Sequence, residues 1–207
     1  EVTFRGQPTY NGVAIPTKRD TVGAPTEVLI GNPQFEDEQK RLISAQVAGI
    51  RVICAYFPNG QSVDSDKYQY KLRWLDALIS WLRPQLQADA APLALLGDFN
   101  IAPDDRDVHD PQAWAGQVLC SEPERQRFET LQSMGLIDAF RLFEQPEKSY
   151  SWWDYRQMAF RRNKGLRIDH VMVSSALRDR VSACSIDREP RKREQPSDHA
   201  PVIAQID

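Results

Sequence analysis

A chain of 207 residues, 41% apolar and 27% charged, carries enough hydrophobic side chain for one sizeable core and is read as a single domain over 1–207. Its net charge of −3 excludes a uniformly basic nucleic-acid binder, and no apolar run approaches the length of a membrane span. Cys54, Cys120 and Cys184 are odd in number, far apart and without a C-x-x-C pair, which argues against a disulfide framework or a thiolate zinc site. Residues 1–30 carry no secretory-leader pattern, so the expected setting is the reducing cytoplasm.

Taken in order, Glu1–Arg5 alternates and predicts a strand, Asn11–Thr17 a second holding Val13 and Ile15, and Val28–Ile30 a third. Leu42–Val47 and Ile50–Tyr56 flank Ala48-Gly49 as a hairpin. From Asp66 to Gln87 the period changes. Leu75, Leu78, Ile79, Leu82 and Leu86 form one helical stripe, with Pro84 expected to fray its last turn. Leu93–Leu96 is a strand, and Pro103–Asp110 a polar loop. Ser121-Glu122-Pro123-Glu124 is a capping box opening a helix that runs to Met134 and stops at Gly135. Ile137–Phe140 is a short strand or turn, and Leu166–Val173, Ser182–Ile186 and Pro201–Ile206 are strands. Hairpin-like strand groups interrupted by a long helix predict a mixed or antiparallel α+β fold, a sandwich of two sheets with helices outside.

Polar clusters end several of these apolar runs. Asp98 and Asn100 stand two apart after Leu93–Gly97, so an extended chain presents them on one side. Asp169-His170 follows Leu166–Ile168, Asp198-His199 precedes Ala200-Pro201, and Tyr56 ends a fourth run. His170 neighbours Asp169 on a strand, faces the other way and is read as structural. If the strand ends converge, the site holds three carboxylates (Asp98, Asp169, Asp198), an amide, a histidine and a phenol. Such an oxygen-rich set suits Mg²⁺ or Mn²⁺ better than zinc. A carboxylate beside a histidine holds it charged for an anionic phosphate, and a second carboxylate can activate water. The chemistry implied is phosphoester hydrolysis. Two basic clusters, Arg161, Arg162, Lys164, Arg167 and Arg188, Arg191, Lys192, Arg193, adjoin these motifs and suit a polyanion.

Six motifs occur in order: Asn11-Gly12-Val13-Ala14-Ile15, Tyr56-Phe57-Pro58-Asn59-Gly60, Gly97-Asp98-Phe99-Asn100, Ser151-Trp152-Trp153-Asp154-Tyr155-Arg156, Gly165-Leu166-Arg167-Ile168-Asp169-His170 and Pro196-Ser197-Asp198-His199-Ala200-Pro201. With that set the sequence resembles the exonuclease III type of AP endonucleases, in the endonuclease/exonuclease/phosphatase superfamily, over nearly its whole length. The resemblance implies a four-layer α/β/β/α sandwich of two mixed sheets with the site at one edge. It implies Mg²⁺- or Mn²⁺-dependent cleavage 5′ to abasic sites and trimming of 3′ ends, by a monomer acting on double-stranded DNA with abasic or 3′-blocked sites. Carried over, it makes Tyr56, Asp98, Asn100, Asp169 and His199 catalytic. Asp98 would orient or deprotonate water, and His199, oriented by Asp169, would bind the scissile phosphate with Tyr56. Asp98, Asn100 and Asp198 would hold metal, and Asn11, Trp152, Leu166, Arg167 and Ile168 would contact substrate.

Proteins of this type open with a strand bearing an asparagine, then one ending in Gln-Glu whose glutamate is a principal metal ligand. Neither precedes Asn11, and Glu36 and Glu38 fall in a different loop. The expectation is therefore a domain incomplete at its N-terminus, with poorer metal affinity and unpaired strand edges. Two alternatives stand beside the nuclease: a superfamily phosphatase acting on phospholipid or inositol phosphates, and a non-catalytic DNA-binding fragment.

Overall fold

The computed structural model describes residues 1–87 and 91–207. Its strands are β1 (Val2–Gly6), β2 (Gly12–Pro16), β3 (Thr26–Ile30), β4 (Leu42–Val47), β5 (Ile50–Ala55), β6 (Leu93–Asp98), β7 (Leu136–Asp138), β8 (Asp169–Ser174), β9 (Val181–Ile186) and β10 (Val202–Ile206). Its α-helices are α1 (Arg19–Val22), α2 (Asp66–Leu82), α3 (Pro111–Trp114) and α4 (Glu122–Ser133). Six strands form the main sheet in the order β3-β4-β5-β6-β8-β7, and β1-β2 and β9-β10 are separate antiparallel pairs.

Alternation along the central strands makes both faces of the main sheet apolar. Leu42, Ile53, Ala55, Leu93, Leu95 and Met172 face α2 and α4, where Leu75, Leu78, Leu82, Phe128 and Leu131 cover them. The intervening residues face the other way. Ile43 and Ala45 meet Val13 and Ile15 of β2, while Ala94, Val171 and Val173 meet Val181 and Cys184 of β9. The result is the mixed two-sheet sandwich that the patterning predicts, its second sheet layer supplied by two hairpins.

Local signals set the element ends. Ser65 Oγ accepts the Tyr68 amide at 3.1 Å to cap α2, and Pro84 turns its tail into a 3₁₀ segment over Arg83–Leu86. The capping box at Ser121 and Glu124 starts α4. Ala48 and Gly49 both have positive φ (48° and 80°), which gives the β4–β5 hairpin its two-residue turn. Two findings depart from the patterning. β5 and β6 pair in parallel, so β5–α2–β6 is a βαβ unit inside an otherwise antiparallel sheet. The strand expected from Leu166 starts only at Asp169, because Leu166 is drawn aside into bridges with Val108 and Trp152. No helix among the described residues is long and apolar enough to cross a membrane.

Candidate active site

The site is built where β6 ends and β8 begins. These strands are antiparallel, and their register sets Asp98 directly opposite Asp169 and Gly97 opposite His170. Like charges facing each other across a ladder repel, so the position is unfavourable unless a cation joins them. One does: the Pro196–His199 loop brings His199 Nδ1–H to the Asp169 oxygens at 2.8 and 3.1 Å, with Nε2 left 3.9 Å from Asp98 Oδ2. The three line a cavity of about 400 Å³ together with Leu96, Val171 and Val202.

Each group is tuned by what surrounds it. Burial, and then the Asp169 charge, push the Asp98 carboxyl up to about 7 against the pull of His199. Burial disfavours the His199 imidazolium, but the hydrogen bond and charge of Asp169, with help from Asp98 and Asp198, outweigh it and raise His199 to about 9. Tyr56 follows β5, and its phenol is raised by burial and by the Asp98 charge, so it is a neutral O–H donor. Arg41 lies over its ring at 4.8 Å from the centroid.

The supporting contacts are specific. Asn100, buried and at φ 50°, gives its amide N–H to Asp98 Oδ1 (2.8 Å) and its Nδ2–H to Asp98 Oδ2 (3.0 Å) and the Phe57 carbonyl (3.1 Å). Its Oδ1 accepts Asn59 Nδ2–H at 2.9 Å. Both ends of the amide are therefore engaged, and Asn100 holds Asp98 in place. Trp152 Nε1–H donates to Asp198 Oδ2 at 2.9 Å. Ser151 Oγ accepts the amides of Ile168 and Asp169, both at 3.0 Å, which seats the start of β8.

Among the described residues, one group of carboxylate and imidazole donors gathers at metal-binding distance: Asp98, Asp169 and His199, with one atom of each within 4.8 Å of the others. Of the expected ligands Asp98, Asn100 and Asp198, Asp98 is in this group, Asn100 braces it and Asp198 stands beside Trp152. The two carboxylates fit a hard divalent cation, while the charged His199 offers it no lone pair. Burial and then the Asp169 charge raise Asp98, and a cation held by the two carboxylates would offset that repulsion.

The expected substrate residues separate. Trp152 is partly buried against Leu166 and Ile168, which are themselves only 1% and 2% exposed and back it from the core. Asn11 lies across Tyr56 in a second cavity of about 660 Å³ with Arg41, Asn59 and Tyr70. Arg167 is corrected. It is 1% exposed, and its guanidinium donates to Asp107 at 2.6 and 3.2 Å, pairs with Asp138 at 2.8 Å and donates to His170 Nδ1 at 3.1 Å. Arg167 precedes β8, off the strand's alternation, and the buried carboxylates of Asp107 and Asp138 draw its guanidinium into the core. His170 is structural, as its position predicts. Burial, then Arg167, hold it down to about 4, and its neutral ring donates Nε2–H to the Ile101 carbonyl at 2.9 Å. Arg188 and Arg191 also turn inward, stacking on Trp153 and Phe160. Sequence reasoning missed Asn59, Ser151 and a buried pair, Lys71 and Glu124. The signal for Lys71 was present: one charge one turn before Leu75, in line with the apolar stripe of α2.

Comparison with known proteins follows the same line. Residues 2–199 match the model of the endonuclease/exonuclease/phosphatase family. Exodeoxyribonuclease III of Haemophilus influenzae is 35% identical over 218 residues, 99% of this chain and 80% of that protein. Among solved structures, the 3′ phosphatase NExo from Neisseria, bound to product DNA hairpin, superposes with a TM-score of 0.94 at 43% identity, over 100% of this chain and 79% of that one. An AP endonuclease from Archaeoglobus fulgidus gives 0.92 at 36%, over 100% and 79%.

Proposed function

The chain belongs to the endonuclease/exonuclease/phosphatase family, and from that premise we propose that it is a DNA repair nuclease that cuts the phosphodiester 5′ to abasic sites and trims 3′ ends. Its relatives by sequence and structure are an exodeoxyribonuclease III, a 3′ phosphatase solved on DNA and an AP endonuclease, all acting on phosphate esters. The observation that carries the reading is the Asp98–His199–Asp169 array. It places a carboxylate poised near neutrality 3.9 Å from an imidazolium fixed by a second carboxylate.

The residues divide the work as follows. Asp98, raised to about 7, is matched to taking a proton from water at neutral pH, and Asn100 fixes both of its oxygens. His199, charged below about 9 and locked by Asp169, turns Nε2 toward the site to receive the anionic phosphate. Tyr56 adds a neutral O–H donor from the facing loop. Asp98 and Asp169, with Asp198 nearby, would hold magnesium or manganese, which when bound supplies charge neutralisation at the phosphate and a more acidic water. Trp152 would take a sugar that lacks its base, a role supported by its packing on the apolar floor of Leu166 and Ile168. The protein is proposed to act as a monomer.

A duplex with one tetrahydrofuran abasic analogue, incubated with Mg²⁺ and then with EDTA, tests this directly. Metal-dependent scission immediately 5′ to the analogue is expected; release of phosphate from an inositol phosphate with no cut in the duplex would transfer the site to the phosphatase reading.

A further inference from the structure

The apolar stripe of α2 is interrupted by one charge. Lys71 is 0% exposed, and its ammonium donates to three acceptors: the Asn100 carbonyl at 2.7 Å, the Asn59 carbonyl at 3.2 Å and the Glu124 carboxylate. Glu124, also 0% exposed, accepts in addition the amides of Leu119 and Ser121, both at 3.1 Å, and the Ser121 hydroxyl. The ammonium is thereby fully saturated, and its counter-charge is anchored at the start of α4.

For stability alone this pair is a poor choice. Stripping two charges of water costs about as much as their attraction returns, and well-packed apolar residues of similar volume do as well or better. What a hydrophobe in that place could not do is grip main-chain oxygens. The two it grips belong to the two loops of the active site. Asn59 lies three residues after Tyr56, and Asn100 two after Asp98. Asn100 sits at a left-handed φ of 50°, a backbone state that needs to be held. Lys71 holds it from its carbonyl, and Asn59 holds it from its side chain at 2.9 Å. Gly60 closes the arrangement: at φ 95°, it packs so near that an added Cβ would lie 3.3 Å from Lys71 Cδ.

We propose that Lys71 is a positioning residue for the reaction: its ammonium, neutralised by Glu124, clamps the Tyr56–Gly60 and Asp98–Ile101 loops together and so fixes where the Asp98 carboxylate stands relative to the Tyr56 phenol. The activity arm of the test rests on the nuclease reading; the structural arm does not.

Two variants separate a clamp from a core ion pair. Glu124→Gln removes the counter-charge but keeps a capping acceptor and leaves Lys71 free to donate to both carbonyls. Lys71→Met/Glu124→Gln removes both charges, so no unpaired ion is buried. The double variant is expected to melt within a few degrees of the parent. Its kcat on the abasic duplex should fall at least tenfold with KM within twofold, while amide exchange accelerates at least tenfold in residues 59–61 and 99–101 and stays parent-like in the strands. Glu124→Gln alone leaves the ammonium without its counter-charge, so it should lower global stability while both loops stay as protected, relative to the sheet, as in the parent. Parent-like exchange and kcat in the double variant overturn the proposal; so does equal loosening of the loops in Glu124→Gln, which also decides the matter if the double variant fails to fold. If the parent itself leaves the duplex uncut, the nuclease reading falls, and amide exchange still decides the clamp.

Discussion

On the proposed function the chemistry turns on Asp98, which combines near-neutral acidity with contacts to Asn100, Asp169 and His199. Asp98→Asn preserves shape and removes the base. In a gel assay it should lower the cleavage rate by about 10³-fold, the scale of general-base catalysis, with DNA affinity by filter binding little changed; substantial residual cleavage would remove Asp98 from that role. His199 carries the alkaline side of the pH profile. Its folded value of about 9 lies above the ordinary value of about 6.5, so the charged form is present at neutral pH and is lost as pH rises through 9. Asp169→Asn takes away the leading support for that charge. The alkaline limb of kcat/KM should then move down toward neutrality, and a limb left at 9 would assign it to another group. The sequence pointed to these residues because polar positions there adjoin the ends of apolar runs, and the structure brings Asp98, Asp169 and His199 together. Arg167 was not legible in this way. Asp169, two residues on, lines the site, while the side chain of Arg167 answers to Asp107 and Asp138, which no local pattern connects to it.

The elements deliver those side chains through one close approach. Gly97, at φ 138°, lies so near β5 that an added Cβ would stand 2.0 Å from the Ala55 carbonyl oxygen. That oxygen belongs to the backbone and has no room to yield. Gly97→Ala should therefore prise β6 from β5 at the base of the site, with a loss of about 3 kcal/mol or more in urea unfolding from strain and overpacking together. Unchanged stability would mean that the strands separate freely there. The strands and both long helices were legible from periodicity and capping, down to the 3₁₀ tail that Pro84 imposes on α2. The parallel pairing of β5 with β6 was not, because period-2 alternation is the same whichever way a neighbour runs.

Across the molecule, charge is sorted by depth. Of the two basic clusters, Arg167 is buried and Arg188 and Arg191 stack on aromatic rings, while Arg161, Arg162, Lys164, Arg193 and Lys192, the last paired with Glu189, are on the surface. A chain with net charge −3 can bind a polyanion only through such a local patch. Arg161→Gln/Arg162→Gln should thus reduce the slope of log K against log salt for duplex DNA by about two, roughly one per lost phosphate contact; an unchanged slope would place the binding face elsewhere. The antiparallel union of β6 with β8 has one more consequence, in time rather than in space. Asp98 leaves the ribosome long before Asp169 and His199, and no incomplete chain that stops short of them holds the three groups together. A newborn copy is therefore harmless to the nucleic acid around it, and cutting power arrives in a single step when the last loop folds home.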